Sequence, residues 1–180
     1  KKLLHNHRML KCVFFDRDGV LIKDYGYVHN PLKTKWLKGS IEAIKFLNKK
    51  KILIIIITNQ SGIARGIFGI KELNNFHNHL KKDLIDQKAK ITDIFYCPYP
   101  PSATIKKYKK KTNLRKPGNG MILKALKKYK LSSNECIMIG DRKSDMLAAK
   151  KSNIEFEYKA KISLEIQIKK MLNQFDNIKN

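Results

Sequence analysis

Residues 12–20, "CVFFDRDGV", carry an apolar run into two carboxylates, Asp16 and Asp18, with Arg17 between them. On extended chain, side chains two residues apart project to one side. Two such charges repel by about 4 kcal/mol at ~4 Å and an effective dielectric of ~20, and a phosphate brought beside them is repelled as well. The pair makes chemical sense with a compensating cation. A hard divalent ion such as Mg2+ takes carboxylate oxygens, carbonyls, waters and substrate phosphate, and Asp141 in "GDRKSD" offers a further carboxylate. Phosphate monoesters are among the slowest biological bonds to hydrolyse, with enzymatic accelerations reaching ~10^21-fold, so several devices must act together. Asp16 is a candidate covalent nucleophile. Asp18 is a candidate proton donor to the leaving oxygen and then base for the water that follows. Thr58, heading "TNQSG", and the amides after it could bind phosphoryl oxygens, and Lys116 in "RKPG" could neutralise the charge that builds on them.

Each piece alone has a plainer reading. An Asp-x-Asp pair is often a solvated turn or an ion pair, and a Thr after a strand is usually a cap. "RKPG" could be a basic helix start with Pro117 at or near the first turn. "GD" after a strand is a common strand–turn–helix junction. Their order, spacing and shared location favour a metal-dependent phosphotransfer site.

The elements that must position these residues alternate along the chain. "KCVFFD" reads as a first strand, and "GSIEAIKFLNKK" as a helix with Ser40 as its N-cap. "KILIIIIT" is a second strand, without the alternation of a half-exposed one, as expected where both faces are covered. "IKELNNFHNHLKKDLIDQKA" is a long helix and "ITDIFYC" a third strand, followed by the Pro- and Lys-rich excursion "PYPPSATIKKYKKKTNLRKPG". Then come the helix "GNGMILKALKKYK", the strand "ECIMIG", the helix "KSDMLAAKKS", a short strand "IEFEYK" and the closing helix "ISLEIQIKKMLNQF". This order predicts an α/β fold, a Rossmann-like parallel sheet with helices on both faces. Such sheets hold ligands beyond the carboxyl ends of their strands. Asp16, Thr58 and Asp141 all stand at strand ends, and Arg115 and Lys116 in the polar loop before a helix join them on that rim.

With 180 residues, 42% of them hydrophobic, the chain suits one domain, read as residues 11–180 behind an N-terminal extension of residues 1–10, with Met9 a candidate start. The longest apolar run, Ile52–Ile57, is far short of a membrane span, and no signal-type apolar segment follows the basic start. Cys12, Cys97 and Cys136 form no paired framework, which points to a reducing cytoplasm. Net charge is +24, from 39 basic and 15 acidic residues. A nucleic-acid partner is one reading. The lysines scatter along the whole chain, with one dense cluster, "IKKYKKKTNLRK", and no basic–aromatic ladder or zinc-finger spacing. Compositional drift is therefore favoured, no nucleic-acid or membrane partner is expected, and a monomer acting on a small phosphorylated substrate is.

The longer strings resemble the haloacid dehalogenase superfamily of phosphatases: "FFDRDGV", "TNQSG", Lys116 in "RKPG" and "GDRKSD" stand for its four motifs. "DRDGVLIKDYGYVHNP", "TNQSGIARGIF" and "RKPGNGM" are similar to the branch that holds heptose 1,7-bisphosphate 7-phosphatases and histidinol-phosphate phosphatase domains. The likeness runs from about Lys11 to Tyr158, and "GYVH" and "SGIARG" tilt it toward the heptose enzymes of surface-glycan (lipopolysaccharide) biosynthesis. The resemblance implies a Mg2+ cofactor held by Asp16, by Asp18 through its carbonyl, and by Asp141. It implies Asp16 as nucleophile, Asp18 as acid/base, and Thr58, Asn59, Gln60, Ser61 and Lys116 around the transferring phosphate. Asp24, Tyr25, Gly26, Tyr27 and Arg115 would face the rest of the substrate. Arg142 stands where the family often has a lysine; it keeps the charge but in a planar fork.

One departure is clear. Members of this branch often carry a zinc loop, Cys-x-His followed by Cys-x-Cys just before the Arg-Lys pair. Here those stretches read Cys97-Pro98-Tyr99 and Thr112-Asn113-Leu114, leaving one thiolate of four ligands. A lone thiolate does not make a tetrahedral structural site, so no zinc is expected, and Tyr96, Tyr99 and Pro100-Pro101 are candidates to brace the loop. Only about forty residues separate the first two motifs, which leaves no room for a large cap domain. The rival substrates are histidinol phosphate and, less favoured, a nucleic-acid 3′-phosphate. From another class comes a non-catalytic binding module, against which the full set of Asp16, Asp18, Lys116 and Asp141 argues.

Overall fold

Strand β1, Cys12–Phe15, is buried along its whole length, and its alternate side chains feed two separate apolar layers. Val13 and Phe15 join one, Cys12 and Phe14 the other. The division continues through β2 (Leu53–Asn59) and β4 (Cys136–Gly140): Ile54, Ile56, Ile137 and Ile139 face the first layer, and Ile55, Ile57 and Met138 the second. A period of two leaves both faces of these strands apolar, so both must be covered. The structure, a computed structural model, describes residues 9–177, and the expected extension therefore lies largely outside the described residues.

Strands β3 (Asp93–Cys97) and β5 (Glu155–Tyr158) complete a five-stranded sheet in the order β3-β2-β1-β4-β5, with every pairing parallel. The first layer is closed by α1 (Ser40–Lys49), by Leu84 near the end of α2 (Ile70–Asp86), and by α5 (Leu164–Asn177). Leu164, Ile168, Met171, Leu172 and Phe175 of α5 form one stripe at helical spacing. The second layer is closed by α3 (Gly120–Tyr129) and α4 (Lys143–Lys151), through Met121, Ile122, Ala125, Ala148 and Ala149. Each fully buried isoleucine in this sandwich contributes roughly 1.5–3 kcal/mol over its exposed state. The expected parallel sheet with helices on both faces is the fold observed. Leu10 is buried in the first layer, one residue ahead of the boundary expected at residue 11.

Two details of the sequence reading are corrected. Ser40 is not the cap of α1 but its first residue; Gly39, with φ 78°, occupies the cap position. That left-handed backbone favours glycine, and a Cβ there would lie 1.9 Å from Ser163 Oγ. Pro117 lies ahead of the first turn of α3, which begins at Gly120. Among the described residues no helix is long and apolar enough to cross a membrane.

Candidate active site

The carboxyl ends of β1, β2 and β4 open on one cavity of about 440 Å³, lined by Asp16, Asp18, Asp24, Gly26, Tyr27, Thr58, Asn59, Gln60, Ser61, Arg115, Lys116, Arg142 and Ser144. Ser144 was not singled out from the sequence. Tyr25 was, yet it lies outside this lining, half exposed beside Lys23, whose Nζ stands 4.9 Å from its ring centroid.

At the floor, Asp16 continues the ladder of β1 by donating its N–H to Ile139 at 3.0 Å. Its carboxylate faces Lys116 Nζ at 2.9 Å, and the same ammonium meets Asp145 Oδ1 at 2.6 Å and donates to the Ile57 carbonyl at 2.8 Å. Lys116 is buried with only 3% exposed. Burial alone would lower its pKa, but Asp16 and Asp145 outweigh burial and raise it, so the side chain is a fixed ammonium. Burial raises Asp16 to about 6 against the lowering pull of Lys116. Asp141 is raised too, by burial first and by Asp145 second.

Asp145 is the floor residue that the sequence reading missed. It ends "GDRKSD", four residues after Asp141, and it also accepts from the Arg142 N–H at 3.0 Å as an N-terminal helix cap. A carboxylate in a first helical turn reads as a cap, which hid its second contact. Gly140 makes room for it: a Cβ there would lie 2.4 Å from the Asp145 Cβ.

Asp16, Asp141 and Asp145 each bring a carboxylate oxygen within 4.8 Å of the others. All three donors are hard oxygens, the set Mg2+ takes. Gly19 keeps the space beside Asp141 open, since a Cβ there would stand 2.3 Å from Asp141 Oδ2. The residues fit the ion: Lys116 and the Arg17 N–H engage only Oδ1 of Asp16, which leaves Oδ2 and the Asp141 carboxylate to face it, while both oxygens of Asp145 are engaged, by Lys116 and the Arg142 N–H. Asp18's side chain is outside this group. Its compensating cation is Arg17, which donates from Nε to Oδ1 at 3.0 Å and from Nη2 to Oδ2 at 2.9 Å. Gln60 Nε2 adds a third donor to Asp18 at 3.1 Å and also reaches Thr58 Oγ1 at 2.8 Å.

Around the rim, Asn59 serves as a brace: its Nδ2 donates to the Lys116 carbonyl at 3.0 Å and its Oδ1 accepts from the Lys116 N–H at 3.1 Å. Arg142 Nη2 donates to Asp24 Oδ2 at 2.9 Å. Arg115 has a buried Nη1 with no hydrogen-bond partner among the described residues. Burial lowers its pKa, and the neighbouring Arg65 and Arg142 charges lower it further. A cavity mouth with mutually repelling guanidiniums suits an anionic ligand.

The residues where the zinc loop would stand do not fit that metal. Cys97 is fully buried against the second layer, and burial raises its thiol pKa. The loop is tied otherwise: Thr104 and Ile105 donate their N–H groups to the Ala64 carbonyl at 3.0 and 2.9 Å. Tyr96 and Tyr108 pack on Ile63, Phe68 and Leu73, and the Tyr99 and Tyr108 rings stand 6.2 Å apart. Asn113 Nδ2 donates to Asn119 Oδ1 at 2.9 Å, and the Asn113 carbonyl accepts from Gly120 at 2.8 Å. Tyr96 and Tyr99 were expected here; Tyr108, Asn113 and Asn119 were not.

The family model for haloacid dehalogenase-like hydrolases matches residues 104–158. The D-glycero-beta-D-manno-heptose-1,7-bisphosphate 7-phosphatase of Photorhabdus laumondii is 39% identical over 140 residues, which is 78% of this chain and 74% of that protein. The same organism's D-glycero-alpha-D-manno-heptose-1,7-bisphosphate 7-phosphatase is 36% identical over 148 residues, covering 82% and 81%. Among solved structures, the D,D-heptose 1,7-bisphosphate phosphatase of B. bronchiseptica complexed with magnesium and phosphate superposes with a TM-score of 0.77 at 24% identity, covering 91% of this chain and 99% of that one.

Proposed function

We propose that this chain, which belongs to the haloacid dehalogenase-like hydrolases, is a Mg2+-dependent phosphomonoesterase that removes the 7-phosphate of D-glycero-D-manno-heptose 1,7-bisphosphate. The observation that carries the reading is the floor itself: a buried ammonium held between Asp16 and Asp145, with Asp141 alongside, at the carboxyl ends of three parallel strands. A structural ion pair needs no third carboxylate, and two buried acids on one lysine with the exposed Asp141 beside them leave negative charge that a divalent ion would balance. The substrate follows from the relatives, whose names give heptose bisphosphate for both anomers.

In this reading an Asp16 oxygen forms the bond to phosphorus while the bond to the sugar oxygen breaks. Asp18 gives its proton to that oxygen, and the heptose 1-phosphate leaves. Asp18, now a carboxylate, takes a proton from a water that attacks the aspartyl-phosphate, and inorganic phosphate departs with Asp16 regenerated. Thr58 and the turn of Asn59 and Ser61 hold phosphoryl oxygens, the Gln60 N–H being taken by the Cys97 carbonyl at 2.8 Å, and Lys116 meets the charge that gathers on them. Asp16, Asp141 and the Asp18 carbonyl would hold a Mg2+ ion, which would supply charge neutralisation at the phosphoryl group. Arg115 and Arg142 face the second phosphate, with Asp24, Gly26 and Tyr27 along the sugar. The exposed Arg142 answers to Asp24 and is free to re-pair with an anion.

The same reading takes residues 11–180 as one phosphatase domain, a cytoplasmic monomer that works on a small sugar and not on nucleic acid. Three buried free cysteines and a basic charge spread along the whole chain support it. The test is phosphate release with Mg2+ from both anomers of the heptose bisphosphate, histidinol phosphate and a 3′-phosphorylated oligonucleotide. A preference of at least ~10-fold in kcat/KM for one heptose anomer is expected, with no release by Asp16→Asn. Preference for histidinol phosphate or the oligonucleotide would overturn the substrate, and turnover by Asp16→Asn would overturn the mechanism.

A further inference from the structure

Arg17 is fully buried, with 0% of its surface exposed, although it is charged and stands one residue from the nucleophile. A guanidinium in such a place carries a desolvation cost of several kcal/mol unless its donors are matched. They are matched in one particular way. The Nε–Nη2 edge chelates Asp18, Nη2 also donates to the Val28 carbonyl at 2.7 Å, and Nη1 lies 3.0 Å from His77 Nε2. Its plane is covered by Phe76, whose ring centroid is 5.0 Å from Cζ. Arginine can only donate, so His77 Nε2 must be an acceptor and the imidazole proton sits on Nδ1. Burial, and then the Arg17 charge, lower the His77 pKa to about 3, which keeps the ring neutral and able to accept.

We propose that Arg17 and His77 are positioning residues for proton transfer: His77 on α2 fixes the guanidinium, and the guanidinium fixes the carboxylate of Asp18. This rests on the phosphatase reading above, in which Asp18 protonates the departing oxygen. The geometry is specific to that purpose. A bidentate fork sets both the place and the plane of a carboxylate, where a lysine would set neither. The support extends from β1 through the 28 carbonyl to a side chain sixty residues away, the kind of outer shell that holds a reacting group to within a fraction of an ångström. His77 touches no cavity-lining carboxylate itself and acts only through Arg17.

The experiment compares leaving groups. An alkoxide must receive a proton as it departs, whereas p-nitrophenolate and acetate leave without one. Misplacing the acid therefore slows phosphoenzyme formation from heptose bisphosphate and spares it from p-nitrophenyl phosphate and acetyl phosphate; the later attack of water, common to all three, does not enter kcat/KM. The quantity read is the ratio of kcat/KM on heptose bisphosphate to that on the aryl or acyl phosphate within one preparation, which is independent of the folded fraction. For Arg17→Lys and His77→Leu the ratio is expected to fall at least ~10-fold, a part of the ~10²–10⁴-fold that a positioned general acid contributes. His77→Gln, whose Oε1 can accept from Nη1, is expected to restore it to within ~3-fold. His77→Phe repeats the measurement should His77→Leu not accumulate. Equal losses on all substrates, or a Gln variant as impaired as the Leu one, would overturn the positioning role while leaving the phosphatase reading intact. A wild-type protein that releases phosphate from none of these esters would overturn both.

Discussion

Gly19 and Asp141 approach so closely that position 19 has no room for a side chain: a Cβ built there would lie 2.3 Å from Asp141 Oδ2. The backbone at Gly19, with φ +82°, is also in the left-handed region. Two independent constraints thus meet on one residue of "DRDG", one from the turn that follows β1 and one from the carboxylate beside it. Gly19→Ala is expected to push Asp141 out of place and weaken Mg2+ activation by at least ~10-fold, at a stability cost of about 1–2 kcal/mol from the strained backbone. The Mg2+ concentration that half-saturates activity checks this. An unchanged value would remove Asp141 from the metal's surroundings.

Lys116 is the cation on which two buried carboxylates depend. Lys116→Met keeps the volume of the chain but leaves Asp16 and Asp145 facing each other without the ammonium that both now touch. Removing one partner of a buried ion pair costs roughly 3–5 kcal/mol. In urea titrations the variant is expected to lose about that much without metal and to recover part of it in saturating Mg2+, which supplies positive charge to the same oxygens. Activity is expected to stay lost in either case. A variant as stable as wild type without metal would mean that the ammonium adds no net stability to either carboxylate.

What the sequence disclosed follows from range. Asp16, Thr58 and Asp141 are legible because each ends a strand whose apolar run is visible, and a parallel sheet puts such ends on one rim. Lys116 is legible from its string. Asp145 and His77 are not, nor are the buried clamp of Arg17 and the grip of Asn59, itself expected beside the phosphate, on Lys116, because each acts through a contact with a residue far away in the chain or through a second bond that a local role conceals. His77 reads as one more residue on an amphipathic helix, and nothing in "NNFHNHL" says that it meets a residue sixty positions earlier. Ser40 shows the opposite error. A serine before an apolar helix is the ordinary cap signal, yet the left-handed Gly39 took the cap position and buried Ser40.

The loop that carries Arg115 and Lys116 is expected to be held by packing and amide bonds without zinc. Elemental analysis after dialysis should find less than ~0.1 zinc per chain, and a strong chelator should leave the melting temperature unchanged, since a single thiol gives no structural site. Asn59 is the brace that matters most, because it grips Lys116 at both N–H and C=O. Asn59→Ala is expected to lower kcat by ~10- to 100-fold through displacement of Lys116, within the loss that a 1 Å misplacement can cause. A variant within twofold of wild type, or a stoichiometric zinc, would show that the loop is fixed by something else.

His77 also makes a prediction about acid. Burial, and then the Arg17 charge, lower its pKa from an ordinary 6.5 to about 3 in the folded protein. Between those values the unfolded chain binds a proton that the folded one refuses, so stability rises with pH. The contribution is whole above 6.5 and is lost as the pH falls through 6.5 toward 3; from pH 7 to pH 5 the loss is about 2 kcal/mol. Asp16 works in the other direction. Burial raises it from 3.8 to about 6, so its contribution is present below 3.8 and is lost as the pH rises through 6. The two slopes oppose in any single titration. The difference between wild type and His77→Gln separates them, because Asp16 is common to both proteins. Urea unfolding at pH 7 and pH 5 in the absence of metal should show the stability of wild type relative to the variant falling by about 2 kcal/mol at the lower pH. A difference that stays constant would mean that His77 carries its proton in the fold, and it could then no longer accept from Arg17.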